Sequence, residues 1–374
     1  VIRIHSKEIP RNRPIILNTF VIYNTNLTIL RQKDIIILGI ESSCDDTSAA
    51  ILKNNTILSN LIARQEIHES FGGVVPELAS RAHQQNIIPV VDAAIKKAGV
   101  SKNDIDAIAF TRGPGLMGSL VVGTSFSKAF AMAMNIPMID VNHMIGHVLA
   151  HFIDEEGKEK PKFPFLCLTV SGGHTQIVLV EDHLKMKVIG TTIDDAAGEA
   201  FDKAAKMLGF PYPGGPLIDK HAKNGNSLKF EFSKSTIPNY DYSFSGLKTS
   251  ILYFLQKQVR LNENFIAENL NDLCASIQKA IIDSLLKKLQ KAAKELNINE
   301  IAIAGGVSAN SGLRDALTHL SKEIKWNVYF PKFEYCTDNA AMIAITGKYM
   351  FEKGLFADQS IAATARYSMS EFTF

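Results

Sequence analysis

The sequence predicts an α/β protein built from a duplicated unit, with two lobes facing one cleft and a helical insertion in the second lobe. Three segments carry that expectation. Residues 34–52 read as an apolar strand, a tight polar turn (Glu41-Ser-Ser-Cys-Asp45-Asp46) and a second strand. Residues 165–180 repeat the design around Ser171-Gly172-Gly173-His174-Thr175. Hairpin turns made of small and hydroxyl residues can aim backbone N–H groups at an anion. One such hairpin is commonplace; two point to a duplication with paired anion-facing loops. The third segment, Ile301-Ala-Ile-Ala304-Gly305-Gly306-Val-Ser308-Ala-Asn310, is a short buried strand running into glycines, followed by a helix from near Ser311 to Leu320. Glycine there lets backbone approach a flat ligand such as adenine or ribose. The plainer alternative is a strand–helix corner that needs positive φ.

The remaining elements follow in order. A helix is expected over residues 76–98, with Leu78, Ile87, Ile88, Val91 and Ile95 on its buried face and a kink at Pro89. Ile105 to Phe110 reads as a strand leading into Arg112-Gly-Pro-Gly115-Leu-Met-Gly118-Ser119, then an apolar helix through Met134. Met138 to Val141 is a strand. Residues 194–296 are largely helical, broken by Pro211-Tyr-Pro-Gly214-Gly215-Pro216 and by Phe244-Ser245-Gly246-Leu-Lys248. The expected divisions are an arm over residues 1–33, a first lobe 34–164, a second lobe 165–355 with its insertion at 194–296, and a tail 356–374.

Composition excludes several classes. At 374 residues the chain is too long for one small core. Its 46% hydrophobic and 21% charged content is ordinary for a globular protein. A net charge of +2 neither demands nor excludes nucleic acid, because a basic face can sit inside a neutral total. Cys44, Cys167, Cys274 and Cys336 form no C-x-x-C pair, so neither a disulfide framework nor a sulfur-ligated zinc is implied, and a reducing cytoplasmic setting fits. No stretch approaches the roughly 18 uninterrupted apolar residues of a membrane span. The arm carries Arg3, Lys7, Arg11, Arg13, Arg31 and Lys33 against Glu8 alone and contains no Met. That balance fits a targeting presequence, and equally an upstream extension or a mis-assigned start.

A histidine ladder, His143-Met-Ile-Gly-His147-Val-Leu-Ala-His151, follows the Met138 strand. Residues four apart on a helix lie roughly 40° apart around its axis, so two imidazoles can share a metal. The Glu that follows the first His of helical zinc proteases is missing, which argues against peptide hydrolysis. The plainer alternative is an amphipathic helix with a polar histidine stripe.

These features together resemble one family. Two glycine-hydroxyl hairpins with a Gly-Gly-x-Ser element are the layout of the actin-like (ASKHA) superfamily of actin, heat-shock ATPases and sugar kinases. The ordered set narrows the likeness: Gly39-Ile-Glu-Ser-Ser-Cys-Asp-Asp-Thr47, Phe71-Gly-Gly-Val-Val-Pro-Glu77, Arg112-Gly-Pro-Gly115, His143-x-x-x-His147, Ser171-Gly-Gly-His-Thr175, Asp194-Asp-Ala-Ala-Gly-Glu199, Tyr212-Pro-Gly-Gly-Pro216, Tyr242-Ser-Phe-Ser-Gly-Leu-Lys248, Gly305-Gly-Val-Ser-Ala-Asn310 and Cys336-Thr-Asp-Asn-Ala-Ala341. The chain resembles the tRNA N6-adenosine threonylcarbamoyltransferase family, in its bacterial TsaD branch, from about Ile35 to near the C-terminus. The resemblance implies an acyltransferase that moves the threonylcarbamoyl group from threonylcarbamoyl-AMP to N6 of the adenosine beside the anticodon in ANN-decoding tRNAs, releasing AMP. It also implies a smaller actin-like paralogue and a P-loop ATPase as partners.

Carried over residue by residue, the resemblance makes His143, His147 and Asp338 ligands of one divalent ion, Fe2+ with Zn2+ or Mg2+ as alternatives. His151 is left as a surface residue or one packed behind the ligands. Thr169, Val170, Ser171, Gly172 and Gly173 match the loop cradling the adenylate. Asp202 matches a residue on the nucleotide or threonyl part, against the alternative of a surface acid paired with Lys206. Gly215 and Asp219 match the ribose loop, and Asn310 the adenine end, with a helix cap as alternative or additional role. Glu41 is a candidate catalytic acid or a solvated turn residue. Ile145 departs from the family, where an acid is common; losing it removes a group that could tune the metal. Arg64, Arg81, Arg112, Lys203, Lys220 and Lys248 are candidate tRNA contacts. Competing readings are a small-molecule kinase of the same superfamily, a metalloprotease, and a non-catalytic nucleotide-binding scaffold.

Overall fold

The structure is a computed structural model, described here over residues 34–234 and 237–369. The arm 1–33 lies outside the described residues. Two five-stranded sheets share one topology. The first contains β1 (Ile36–Glu41), β2 (Thr47–Lys53), β3 (Thr56–Ala63), β4 (Ala107–Gly113) and β5 (Met138–Asn142), in the order β3-β2-β1-β4-β5. The second contains β6 (Phe165–Val170), β7 (Thr175–Asp182), β8 (Lys185–Thr191), β9 (Glu300–Ala304) and β10 (Asn327–Tyr329), in the order β10-β9-β6-β7-β8. In each, an antiparallel meander of three strands is extended by two parallel strands. Both expected hairpins are present, β1–β2 and β6–β7. β3, β8 and β10 carry no sequence expectation: β3 and β8 are only half-buried, and β10 is a three-residue edge strand.

The helices are α1 (Pro76–Ala98), α2 (Met117–Met134), α3 (His143–Leu149), α4 (Ala197–Met207), α5 (Gly215–Ala222), α6 (Ser245–Leu261), α7 (Phe265–Glu268), α8 (Leu270–Leu296), α9 (Ser311–Ile324), α10 (Phe333–Cys336) and α11 (Ala340–Glu352). α1 and α2 cover the outer face of the first sheet. Ala79, His83, Ile87, Val91 and Ala94 form the buried stripe of α1, whereas Ile88 is 66% exposed, contrary to the expected face. One residue turns a helix by about 100°, so Ile87 and Ile88 cannot share a narrow stripe. The helices α4 to α8 and α9 cover the outer face of the second sheet. Between the sheets lie α3 and α11, in a core with Ile37, Val141, Phe165, Cys167 and Ala304. α11 follows the second sheet in sequence but packs on β1, β2 and β4 of the first. The last described residues return to the first sheet, where Thr364 N–H donates to the Arg112 carbonyl and Asn142 Nδ2 to that of Tyr367.

Gly39 shows how tightly α11 sits. A Cβ there would lie 2.4 Å from the Ala340 carbonyl oxygen and 2.9 Å from Ala344 Cβ. Gly39→Ala is expected to cost about 2–3 kcal/mol, because backbone rather than a mobile side chain must give way. A urea midpoint unchanged by the substitution would contradict this packing.

Candidate active site and metal centre

α3 starts directly after β5, with Asn142 Oδ1 accepting from the N–H groups of Met144 and Ile145. That cap fixes the first turn, so His143 and His147 emerge from one face, their ring centroids 4.8 Å apart. Asp338 arrives from the loop before α11. Its Oδ1 lies 3.3 Å from His143 Nε2 and 3.2 Å from His147 Nε2. One donor atom from each of the three residues falls within 4.8 Å of the others, a cluster that can hold a metal ion. Both His147 ring nitrogens are buried; Nδ1 has no partner, and Nε2 faces only Asp338 Oδ1, at 3.2 Å and without a well-formed hydrogen bond. Such an orphan is costly unless something ligates it. The donor set of two imidazoles and a carboxylate suits a divalent transition metal, so the residues present fit the group.

Behind His143 stands Glu41, 1% exposed at the end of β1. Its Oε2 lies 3.0 Å from His143 Nδ1 and accepts from Thr111 Oγ1 at 2.5 Å, while Oε1 accepts from Ser43 N–H at 2.5 Å. A carboxylate can only accept, so Nδ1–H donates to Glu41, and Nε2 faces Asp338 Oδ1. Burial alone would raise the Glu41 carboxyl, but His143 outweighs it and holds the pKa below its ordinary value. Burial also opposes charge on His143, and there Asp338 and Glu41 win, raising its pKa well above the usual imidazole range. Asp338 is held well below the carboxylate range by the two histidines, against burial. His147 is pushed down by burial. The pocket therefore favours a positive charge between these groups. Glu41 is engaged on every side within the protein and orients His143 rather than facing the cleft. Ile145, where many family members carry an acid, is buried in the central core.

The turn after β1 is itself braced by His83 of α1, whose Nε2–H donates to the Cys44 carbonyl at 3.0 Å and whose Nδ1 sits 2.8 Å from Thr47 Oγ1. Asp46 in this turn is pushed up to about 6 by burial, with Asp45 and Asp338 adding to the effect.

The second lobe supplies the facing loops. Thr169 and Val170 end β6, both buried. Ser171 closes the turn: its N–H donates to the His174 carbonyl, and its Oγ accepts from His174 N–H at 3.1 Å. Gly172 and Gly173 are exposed, and a Cβ on either would meet nothing within 4 Å, leaving their backbone open to the cleft. His174 is pushed down to about 4, first by burial and then by His143 and His147, which places this turn in the electrostatic neighbourhood of the metal cluster. Gly305, at φ +86°, lies so near Val170 that a Cβ would stand 2.5 Å from its carbonyl oxygen.

Asp202 and Asp219 are tied to backbone. Asp202 Oδ1 accepts from Gly214 and Gly215 N–H at 2.9 and 3.1 Å, capping α5 instead of pairing with Lys206. Asp219 accepts from Ser311 N–H at 3.1 Å and Ser311 Oγ–H at 2.8 Å, at the start of α9. Asn310 caps the same helix through Leu313 N–H at 2.9 Å, and its Nδ2 donates to Gln278 Oε1. These three side chains tie α4 to α5, α5 to α9 and α9 to α8. His151 is neither a ligand nor a surface residue: it is 9% exposed, its Nε2–H donates to the Ile303 carbonyl at 2.9 Å, and burial pushes its pKa to about 4. α3 ends at Leu149 and tightens into a 3-10 turn, which swings His151 out of register with the other two.

A family model described as tRNA N6-adenosine threonylcarbamoyltransferase (TsaD) matches residues 56–345. The chain belongs to this family. It is 61% identical to the tRNA N6-adenosine threonylcarbamoyltransferase of Riemerella anatipestifer over 91% of its own length and 99% of that protein's. With the Phocaeicola vulgatus enzyme it shares 62% identity over 85% and 94% of the two chains. Two solved HypF structures show the actin-like fold alone. One, phosphate- and nucleotide-bound, is 13% identical with a TM-score of 0.57, over 86% of this chain and 47% of that one. The other, from T. kodakarensis, is 12% identical with a TM-score of 0.55, over 88% and 49%. The protein is thus a threonylcarbamoyltransferase acting on N6 of a tRNA adenosine, and the kinase, protease and scaffold readings fall away.

Within this transferase, four of the six basic candidates for tRNA contact are tied to acids: Arg81 to Glu77, Arg112 to Asp140, Lys203 to Asp195 and Glu199, and Lys248 to Asp195. Arg64 and Lys220 are exposed and form no ion pair among the described residues. Thr111 and His83 carry no sequence signal, because only the folded chain brings them to Glu41 and its turn, whereas Ser43 lies in the Glu41-Ser-Ser-Cys turn itself. His174 lay inside a quoted motif, and its place beside two glycines was the available signal. No described helix is long and apolar enough to cross a membrane.

Proposed function

We propose that the acyl donor is threonylcarbamoyl-AMP and that AMP is the leaving group. The adenylate lies against Thr169, Val170, Ser171, Gly172 and Gly173, with Gly215, Asp219 and Asn310 on its ribose and adenine side and Asp202 holding the Gly215 turn. His143, His147 and Asp338 hold one divalent ion, for which two imidazoles and a carboxylate with open positions favour Fe2+ over Zn2+ or Mg2+. The observation carrying this reading is the trio itself, with one donor atom each of His143, His147 and Asp338 within 4.8 Å of the others, in a chain that also bears the open Gly172–Gly173 turn.

In the transfer, N6 of the target adenine attacks the carbamoyl carbon and a C–N bond forms. The bond from that carbon to the phosphate oxygen breaks, AMP departs with the electron pair, and the N6 proton passes to solvent. A divalent ion held by His143, His147 and Asp338 would supply Lewis-acid stabilisation of oxygen charge. The adenine amine is a poor nucleophile because its lone pair is delocalised, while AMP leaves readily. Positioning therefore supplies most of the rate. Open N–H groups at Gly172 and Gly173 orient phosphate, and His174, neutral at physiological pH, can accept a hydrogen bond without repelling the metal. Glu41 acts through His143.

The target is the adenosine beside the anticodon in ANN-decoding tRNAs, and the setting is cytoplasmic. The partners are a smaller actin-like paralogue and a P-loop ATPase. The outer face of α1 and α2, where Ile88, Met117, Val121 and Met132 are 46 to 69% exposed, fits a subunit with similar apolar helices. The lobes divide along the chain as 34–164 and 165–355, with the insertion at 194–296, a tail from 356, and α11 crossing back to pack on the first sheet. The test is transfer of radiolabelled threonine to purified ANN-decoding tRNA with the adenylate-forming enzyme and both partners supplied. Label on tRNA that depends on the target adenosine is expected; folded, metal-loaded protein that leaves tRNA unlabelled overturns the reading.

A further inference from the structure

Arg314, in the first turn of α9, uses its guanidinium to bridge two loops that meet at the cleft. Nε–H donates to the Ser308 carbonyl at 2.7 Å, within the Gly306–Ala309 turn that leads to Asn310. Nη2 donates to the Pro331 carbonyl at 2.9 Å and to Cys336 Sγ at 3.3 Å. The carbon of the guanidinium lies 4.1 Å from the centroid of the Phe333 ring and 5.4 Å from that of Phe330. Residues 331–336 run through α10 directly to Asp338.

Two observations separate this from ordinary helix packing. A cation in the first turn of a helix opposes the helix dipole, so α9 gains nothing electrostatically from Arg314. The N-terminus is in any case already capped by Asn310 and Asp219. Among the described residues Arg314 forms no ion pair; its donors are spent on neutral acceptors in two separate loops. A planar fork reaches two edges at once while its face stacks on a ring, which an ammonium group cannot do.

We infer that Arg314 is a positioning residue that sets Asp338 against the Gly306–Asn310 loop, so that metal and adenylate affinity both depend on a side chain touching neither. The inference rests on the proposed placement of the adenylate. It explains why the only carboxylate among the ligands can sit on a loop and still be held for two helix-borne histidines.

The test measures Co2+ affinity by its optical spectrum and AMP affinity by calorimetry, in wild type, Arg314→Met and Arg314→Lys. Arg314→Met is expected to weaken both roughly tenfold or more, the range for partners behind metal ligands, with Arg314→Lys recovering only part. Phe333→Leu, at a 64% exposed position, provides a variant safe for folding and should weaken both about two- to fivefold through loss of the stacked ring. A lowered melting temperature with both affinities within twofold of wild type makes Arg314 a structural brace only and overturns the inference. Wild-type protein that binds Co2+ but not AMP overturns the nucleotide placement beneath it, and the Co2+ measurement then still decides the part played toward Asp338.

Discussion

His147→Ala is expected to lose bound metal and to lower threonylcarbamoyl transfer by about a hundredfold or more, with little loss of folding stability. The imidazole is buried, Nδ1 has no partner, and Nε2 meets only Asp338 Oδ1, which keeps His143 Nε2 at 3.3 Å, so its removal strands no group within the protein. A small cavity is the main structural cost, offset by removing a desolvated polar ring. The functional cost is larger, because a lost ligand forfeits several kcal/mol of charge stabilisation and each 1.4 kcal/mol or so is a factor of ten in rate. Elemental analysis of the purified variant beside a melting curve separates the two effects. Wild-type metal stoichiometry in His147→Ala would remove this residue from the ligand set.

Glu41→Ala should behave in the opposite way, damaging the fold first. Its carboxylate serves His143 Nδ1, Thr111 Oγ1–H and Ser43 N–H, all buried at the ends of the interior strands β1 and β4. Removing it leaves the Thr111 hydroxyl and the Ser43 N–H without an acceptor and His143 Nδ1 with Ser43 Oγ alone, an effect of about 3–5 kcal/mol for a buried charged partner. Glu41→Gln keeps the shape and one acceptor oxygen. It should fold well yet bind metal roughly ten- to a hundredfold more weakly, because His143 loses the partner that fixes its tautomer. If Glu41→Gln bound metal as the wild type does and still failed in single-turnover transfer, Glu41 would have a direct part in the chemistry.

Much of the molecule was readable because its signals are local. The apolar runs flanking Glu41-Ser-Ser-Cys and Ser171-Gly-Gly-His are strand periods interrupted by turn residues, and both hairpins formed where expected. The His143–His147 spacing needs only one helical turn to become a pair. Other features failed locally for identifiable reasons. Ile88 looked like core because it is apolar, but its angular position beside Ile87 turns it outward. His151 continued the four-residue spacing on paper, while the change from α-helix to a 3-10 turn broke the register. Asp202 had a lysine four residues on, yet the backbone N–H groups of Gly214 and Gly215 hold its carboxylate instead.

Local periodicity and turn chemistry thus determined the duplicated architecture, the two glycine-hydroxyl loops, the histidine pair and, through the ordered motifs, the family. Those depend on contacts within a few residues, which sequence order preserves. Tertiary structure alone decided what Glu41 and Arg314 touch, and how Asp338, already marked by the ordered motifs, comes to meet the histidines. Glu41 meets His143 across 102 positions of chain, Asp338 reaches both histidines from a loop beyond the second sheet, and Arg314 joins two loops on either side of β10. A side chain's role there is set by which acceptor, donor or ring the packed core brings within about 3–4 Å, and no spacing along the chain encodes that.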